Sequence, residues 1–123
     1  MCYNIFNPAT GHPLATRAWA AATLWQRLRG LIGHSLKPGE ALLLFSCQAI
    51  HTIGMREPID VVFLNHNSLI LHEIHSIKPW RLSRFVWGAA VVIELPAGTL
   101  RRSGTLPGHQ LLLERAEKMC PPP

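Results

Sequence analysis

Hydrophobic and polar positions alternate along the chain in short runs, broken by turn residues and by a single stretch of helical spacing. Residues 41–78 carry the clearest signal. They predict three consecutive strands at 41–53 (with an irregular centre), 59–65 and 69–78. The middle strand, IDVVFLN, is the most apolar and β-branched segment of the protein, a composition that suits a pleated, buried surface. Residues 2–7 alternate weakly and run into Asn7-Pro8-Ala9-Thr10-Gly11, so an opening hairpin with 14–19 is expected. Leu24, Trp25, Leu28, Leu31 and Ile32 share one helical face and predict a helix over 23–33. Thr23 is its N-cap, Gln26 completes a capping box, and Gly33 ends it.

Turns at 37–40, 54–57 and 65–68 separate the central strands. A long connection at 79–88 leads to a buried-type strand at 89–95. Residues 97–104 hold one short helical turn, and Pro107-Gly108 turns into a last strand at 109–114. The expected fold is mainly β (α+β): a β-sandwich or partly closed barrel of short, mostly antiparallel strands with one packed helix near 23–33.

Composition narrows the class. The 123 residues, 48% of them hydrophobic, suffice for one domain, with a core at about 2–115 and a tail at 116–123. No run approaches the ~20 apolar residues of a membrane span, so no membrane span is expected. The start, MCYNIFNPATG, lacks the charged head and apolar run of a signal peptide. Three widely spaced cysteines, Cys2, Cys47 and Cys120, form neither a disulfide framework nor a zinc motif. Free thiols and a cytoplasmic location are the expectation. The net charge of +5, with basic residues dispersed except at Lys78, Arg81, Arg84 and the pair Arg101–Arg102, permits an anionic partner but does not demand nucleic acid, because many ordinary domains carry such a balance.

Four motifs occur in order: RLRGLIGHSL (27–36), LLLF (42–45), IHTIGMREPIDVVFLN (50–65) and IELPAGT (93–99), followed by a turn with Gly108. In this order and spacing the chain resembles the domain-of-unknown-function 192 family over residues 14–114. The resemblance implies a compact, mainly β domain with a short helix packed on it. It brings no established activity, and it includes exported relatives. The chain departs from the commoner family pattern at His34, at His51-Thr52-Ile53-Gly54-Met55, where many relatives carry Trp-Met-x-Asn-Thr, and at His109. No family role is transferred to those positions.

Cys47, His51 and Met55 have the spacing of a soft-metal set, but on a strand four residues span about 13 Å, so they read as packing residues. A second set follows if the turns at 54–57 and 65–68 are hairpins. His51 then falls opposite Asp60, and Asp60 opposite Glu73, in one row across three strands. One imidazole and two carboxylates would suit a divalent metal or acid–base chemistry, so His51, Asp60 and Glu73 are candidate metal and ligand residues. A one-residue slip in either hairpin would break the row.

Residues 78–87, KPWRLSRFVW, interleave Lys78, Arg81 and Arg84 with Trp80, Phe85 and Trp87. Trp80, Arg81 and Arg84 are candidates for holding an anionic or planar ligand; the alternative is aromatic packing over an open sheet end. No Walker loop, nucleophile elbow or zinc motif occurs, and no catalytic residue is assigned. The expected function is a non-enzymatic small-ligand or protein-binding module. A His51/Asp60/Glu73 enzyme and a weak nucleic-acid binder are the alternatives.

Overall fold

The computed structural model describes residues 2–21 and 35–116. The helix predicted over 23–33 and the end of the tail lie outside the described residues. Seven strands are described: β1 (Cys2–Asn7), β2 (His12–Ala21), β3 (Glu40–Phe45), β4 (Ile59–Leu64), β5 (Ile70–Ile77), β6 (Val91–Pro96) and β7 (Leu112–Arg115). One short helix, α1 (Thr99–Ser103), lies between β6 and β7. The strands form a single sheet in the order β5-β4-β6-β3-β2-β1-β7. Every neighbouring pair is antiparallel except β2 and β3. The fold is mainly β, as expected.

The sheet is open but curled. Its edges are β5 and β7, yet the chain leading into β7 returns to the start of β5. Leu69 bridges Gln110, and Ile70 exchanges backbone hydrogen bonds of 2.9 Å with His109 and Gly108. Inside the curl a cluster forms from Ile5, Leu14, Leu43, Val62, Leu64, Ile70, Ile93 and Leu95, with Leu100 of α1 over it. The outer face of the central strands is also covered. There Trp19, Leu42, Leu44, Val61, Phe63 and Val92 pack with Leu36, Cys47, Ile50, Met55 and Val86. Strand β4 is buried at all six positions because Ile59, Val61 and Phe63 enter the outer cluster while Val62 and Leu64 enter the inner one.

Two expectations about the centre are corrected. The first central strand ends at Phe45, where Ser46 takes a φ of 54° and the chain leaves the sheet; residues 46–58 hold no long strand. Strands β3 and β4 are also not neighbours, because β6 lies between and pairs with both. A strand as apolar as Val91–Pro96 needs partners on both edges and cover on both faces, which puts it in the middle of the sheet. The opening hairpin and the turn at 65–68 form as expected. The Asn65 side chain fixes the latter by accepting from the Asn67 and Leu69 amides at 2.8 and 3.0 Å.

Cys47 is a buried free thiol that donates to the Ala49 carbonyl at 3.0 Å. Cys2 is disulfide-bonded, so the free-thiol expectation fails there. Cys120 lies outside the described residues.

Candidate functional site

The structure does not assemble the row His51–Asp60–Glu73. His51 lies outside the sheet, bridged to Leu82, and its Nδ1 accepts from the Ile53 amide at 3.2 Å. Its predicted place beside Asp60 is taken by β6, where Leu95 is the residue opposite Asp60. On the other side of β4 the register pairs Leu64 with Ile70 and Val62 with Glu73, with irregularities near both ends of the ladder. The slip moves Glu73 two positions from Asp60. Among the described residues no three His, Cys, Asp or Glu side chains converge on a metal site.

Asp60 instead braces the fold. It is fully buried, and its carboxylate accepts from three backbone amides: Ser76 at 2.9 Å, Gly98 at 3.0 Å and Leu100 at 3.0 Å. Gly98 and Gly104, with φ of 92° and 67°, allow the tight entry and exit of α1. Asp60 satisfies two amides at that entry and ties α1 to β4 and β5. Glu73 contacts His75, with 3.3 Å between Oε1 and Nε2, while its Oε2 has no partner. Burial raises the Glu73 pKa, the neighbouring His75 and His109 oppose the shift, and the Asp60 charge adds to it.

Residues 48–53 and 78–89 form a hydrogen-bonded ribbon beside the sheet. Thr52, fully buried, is its anchor. Its hydroxyl donates to the Lys78 carbonyl at 2.6 Å and accepts from the Arg81 amide at 2.8 Å. Its backbone amide donates to the Arg81 carbonyl at 2.8 Å, and its carbonyl accepts from the Trp80 amide at 2.9 Å. Further along, Ser83 bonds Ile50, Val86 bonds Gln48, and the Gln48 side chain donates to the Ala89 carbonyl. Ile50 and Thr52 face inward, so His51 and Ile53 face out. The aromatics of 80–87 do not pack over the sheet end: Trp80 is 65% exposed, Phe85 49% and Trp87 84%. Phe85 and Trp87 support each other edge to face at 4.8 Å. Lys78, Arg81 and Arg84 are exposed among them. Arg84 reaches toward β5, where burial and then its charge hold His72 below the ordinary imidazole range.

The residue that the sequence reading missed is Glu94. On β6 it lies between Leu42 of β3 and Val61 of β4, both members of the outer apolar cluster. Its side chain is 2% exposed, and Oε1 has no hydrogen-bond partner. Burial pushes its pKa up to about 8, so the carboxyl is neutral over the acidic and neutral range. One pleat further along the same face, Pro96 and its cross-strand partner Ile59 line a cleft of about 230 Å³. Leu36, Met55, Pro58 and Ala97 complete its apolar wall, and Ser35 and Glu57 also line it. A second, more open cleft of about 290 Å³ lies between β2 and α1, lined in part by His12, Thr16, Arg102 and Ser103.

The described residues make a curled, mainly β sheet with a buried carboxyl one pleat away from a small apolar cleft, and no catalytic set is assembled among them. The chain belongs to the DUF192 family, described as "Uncharacterized ACR", whose profile matches residues 5–113. A UPF0127 protein of Pyrococcus furiosus is 33% identical over 63 residues, a match that covers 51% of this chain and 53% of that protein. The chain thus matches about half the length of that curated relative. Two solved structures share the fold. A protein of unknown function from Novosphingobium aromaticivorans superposes with a TM-score of 0.78 at 16% identity, covering 91% of this chain and 84% of the other. A Sinorhizobium meliloti protein described as a candidate transcription regulator gives 0.75 at 24% identity, covering 90% and 91%.

Proposed function

We propose that the protein is a non-enzymatic binding module for a small, mainly apolar ligand that carries a hydrogen-bond donor. The ligand occupies the cleft of Leu36, Met55, Ile59 and Pro96 and pairs with the carboxyl of Glu94. One observation carries the reading: Glu94 Oε1, buried on the same apolar face one pleat from the cleft residue Pro96, has no partner. An unsatisfied buried polar atom costs about 1–3 kcal/mol, and a ligand that supplies the missing donor would recover part of that cost. The cleft volume, about 230 Å³, falls below the roughly 300–1,000 Å³ typical of drug-sized ligands, so the ligand is small. Binding asks only for an apolar concavity with a few placed polar groups. The enzyme built on His51, Asp60 and Glu73 has lost its geometry. The Cys2 disulfide supports an oxidising compartment in place of the expected cytoplasm. No described helix is long and apolar enough to cross a membrane.

The test is a fragment screen by thermal shift and ligand-observed NMR at about pH 6, where a carboxyl with a pKa of about 8 is protonated. Short alkyl amides and alkylamines are the probes, run on wild type and Glu94→Met, which keeps the bulk of the side chain and removes both acceptor oxygens. Hits that share a donor group and weaken in the variant support the reading. Hits that bind both proteins alike, or no hits in either, overturn it.

A further inference from the structure

The ribbon 78–87 contributes nothing to the cleft above Glu94, and neither cleft includes any of its residues. Even so, it is held in place by bonds to Thr52, Ile50 and Gln48, and it presents Trp80, Leu82, Phe85 and Trp87 to solvent, as the adjoining segment presents Ile53. Large apolar side chains exposed singly are common, but a group of them held on one ribbon marks an interaction surface. The charge around them is one-sided. Across 46–58 and 78–90 the charged residues are Arg56, Lys78, Arg81 and Arg84 against the single acid Glu57. A protein partner would have to match the shape of these five side chains and neutralise the cations between them. The boundary of a lipid bilayer demands no complementary shape. There tryptophan rings settle at the headgroup level, aliphatic side chains enter the acyl boundary, and Lys and Arg pair with anionic headgroups.

From this placement we propose that the 78–87 ribbon docks the protein reversibly on an anionic membrane surface, with Trp80, Leu82 and Trp87 entering the interface and Lys78, Arg81 and Arg84 contacting headgroup phosphates. The hydrogen bonds to Thr52 present the side chains in a fixed arrangement, so little ordering is lost on contact. The proposal is independent of the ligand assigned to the Glu94 cleft.

The experiment is co-sedimentation of the full chain with two kinds of vesicle, phosphatidylcholine alone and an equal mixture of phosphatidylcholine and phosphatidylglycerol, with tryptophan emission followed in parallel. Expected are binding to the mixed vesicles with a blue-shifted emission, weak or no binding to the neutral ones, and loss of binding as salt rises. Each of Arg81→Ala and Arg84→Ala weakens partitioning about five-fold, and the double variant Trp80→Ser/Trp87→Ser weakens it further and removes the blue shift. Both tryptophans are largely exposed, so the double variant keeps the wild-type melting temperature. Absence of binding to the mixed vesicles overturns the proposal. So does binding that the tryptophan variant leaves intact and that heparin reproduces, the signature of a general polyanion surface. Equal binding to neutral and anionic vesicles overturns the headgroup assignment and with it the proposal.

Discussion

Glu94→Gln should flatten the dependence of stability on pH. In the unfolded chain the Glu94 carboxyl titrates near 4.5, and in the folded protein burial raises this to about 8. Below the lower value the group is neutral in both states and imposes no pH-linked cost. Between the two values only the unfolded chain ionises, so the folded state loses stability as pH rises. The slope is about 1.4 kcal/mol per pH unit, which gives about 5 kcal/mol across the interval. Above the folded value both states are charged, and the loss stops growing. Since domains have only about 5–15 kcal/mol to lose, wild type should be much weaker at pH 8 than at pH 5. Gln titrates nowhere, so the difference in unfolding free energy between wild type and variant isolates this one group. The histidines and Glu73 are common to both proteins and cancel. Urea unfolding at about pH 5, 6, 7 and 8, each analysed as a two-state transition, supplies that difference. It should move in favour of the variant by several kcal/mol from the lowest pH to the highest. Parallel curves would show that Glu94 ionises normally, and its placement as a buried carboxyl with an open oxygen would be wrong.

Three further outcomes follow from the geometry. Asp60→Asn replaces a carboxylate that accepts from three amides by an amide whose NH2 faces donors; it should cost about 3 kcal/mol in chemical denaturation, and a loss below about 1 kcal/mol would contradict the bracing role. Thr52→Val keeps the shape but removes the hydroxyl that holds Lys78 and Arg81. It should cost about 1–3 kcal/mol and speed tryptic cleavage after Arg81 and Arg84, whereas unchanged cleavage would deny Thr52 its anchoring role. Thiol titration in denaturant without reductant should register fewer thiols than the three cysteines of the chain, because Cys2 is disulfide-bonded; reaction of all three would exclude the bond.

Much of the fold is local and therefore legible. The burial of β4 follows from a run of apolar residues that can serve two faces, and the Asn65 turn follows from a side chain that folds back on its own amides. The short helical turn at 97–104 is flanked by the glycines that its ends require. Strand order is different. Neighbouring strands usually follow one another in sequence, but only about two-thirds of the time, and β3 and β4 are an exception. Nothing between Phe45 and Ile59 announces that Val91–Pro96 will come between them. The predicted row of His51, Asp60 and Glu73 needed two registers and one adjacency, each set by residues far away in the chain. The adjacency failed because β6 intervened, and the second register failed because Leu64 pairs with Ile70 and the ladder shifts again between Leu64 and Phe63, at the end away from Asp60.

The same long-range pairing explains why Glu94 was passed over while Asp60 was not. Both are single acids inside apolar strands, so both carry the one local signal available, a carboxyl where alternation puts no solvent. Their fates diverge through partners that sequence does not show. Asp60 meets three amides, two of them at the entry of α1, and becomes a joint of the fold. Glu94 meets Leu42 and Val61, whose side chains offer no hydrogen bond. A buried acid that is fully paired is explained by stability. One left with an open oxygen beside a cleft weakens the fold at neutral pH, and stability alone does not account for it. In a chain with no assembled catalytic set among its described residues, that makes the cleft beside Glu94, ahead of the Asp60 cluster, the place where a ligand is to be sought.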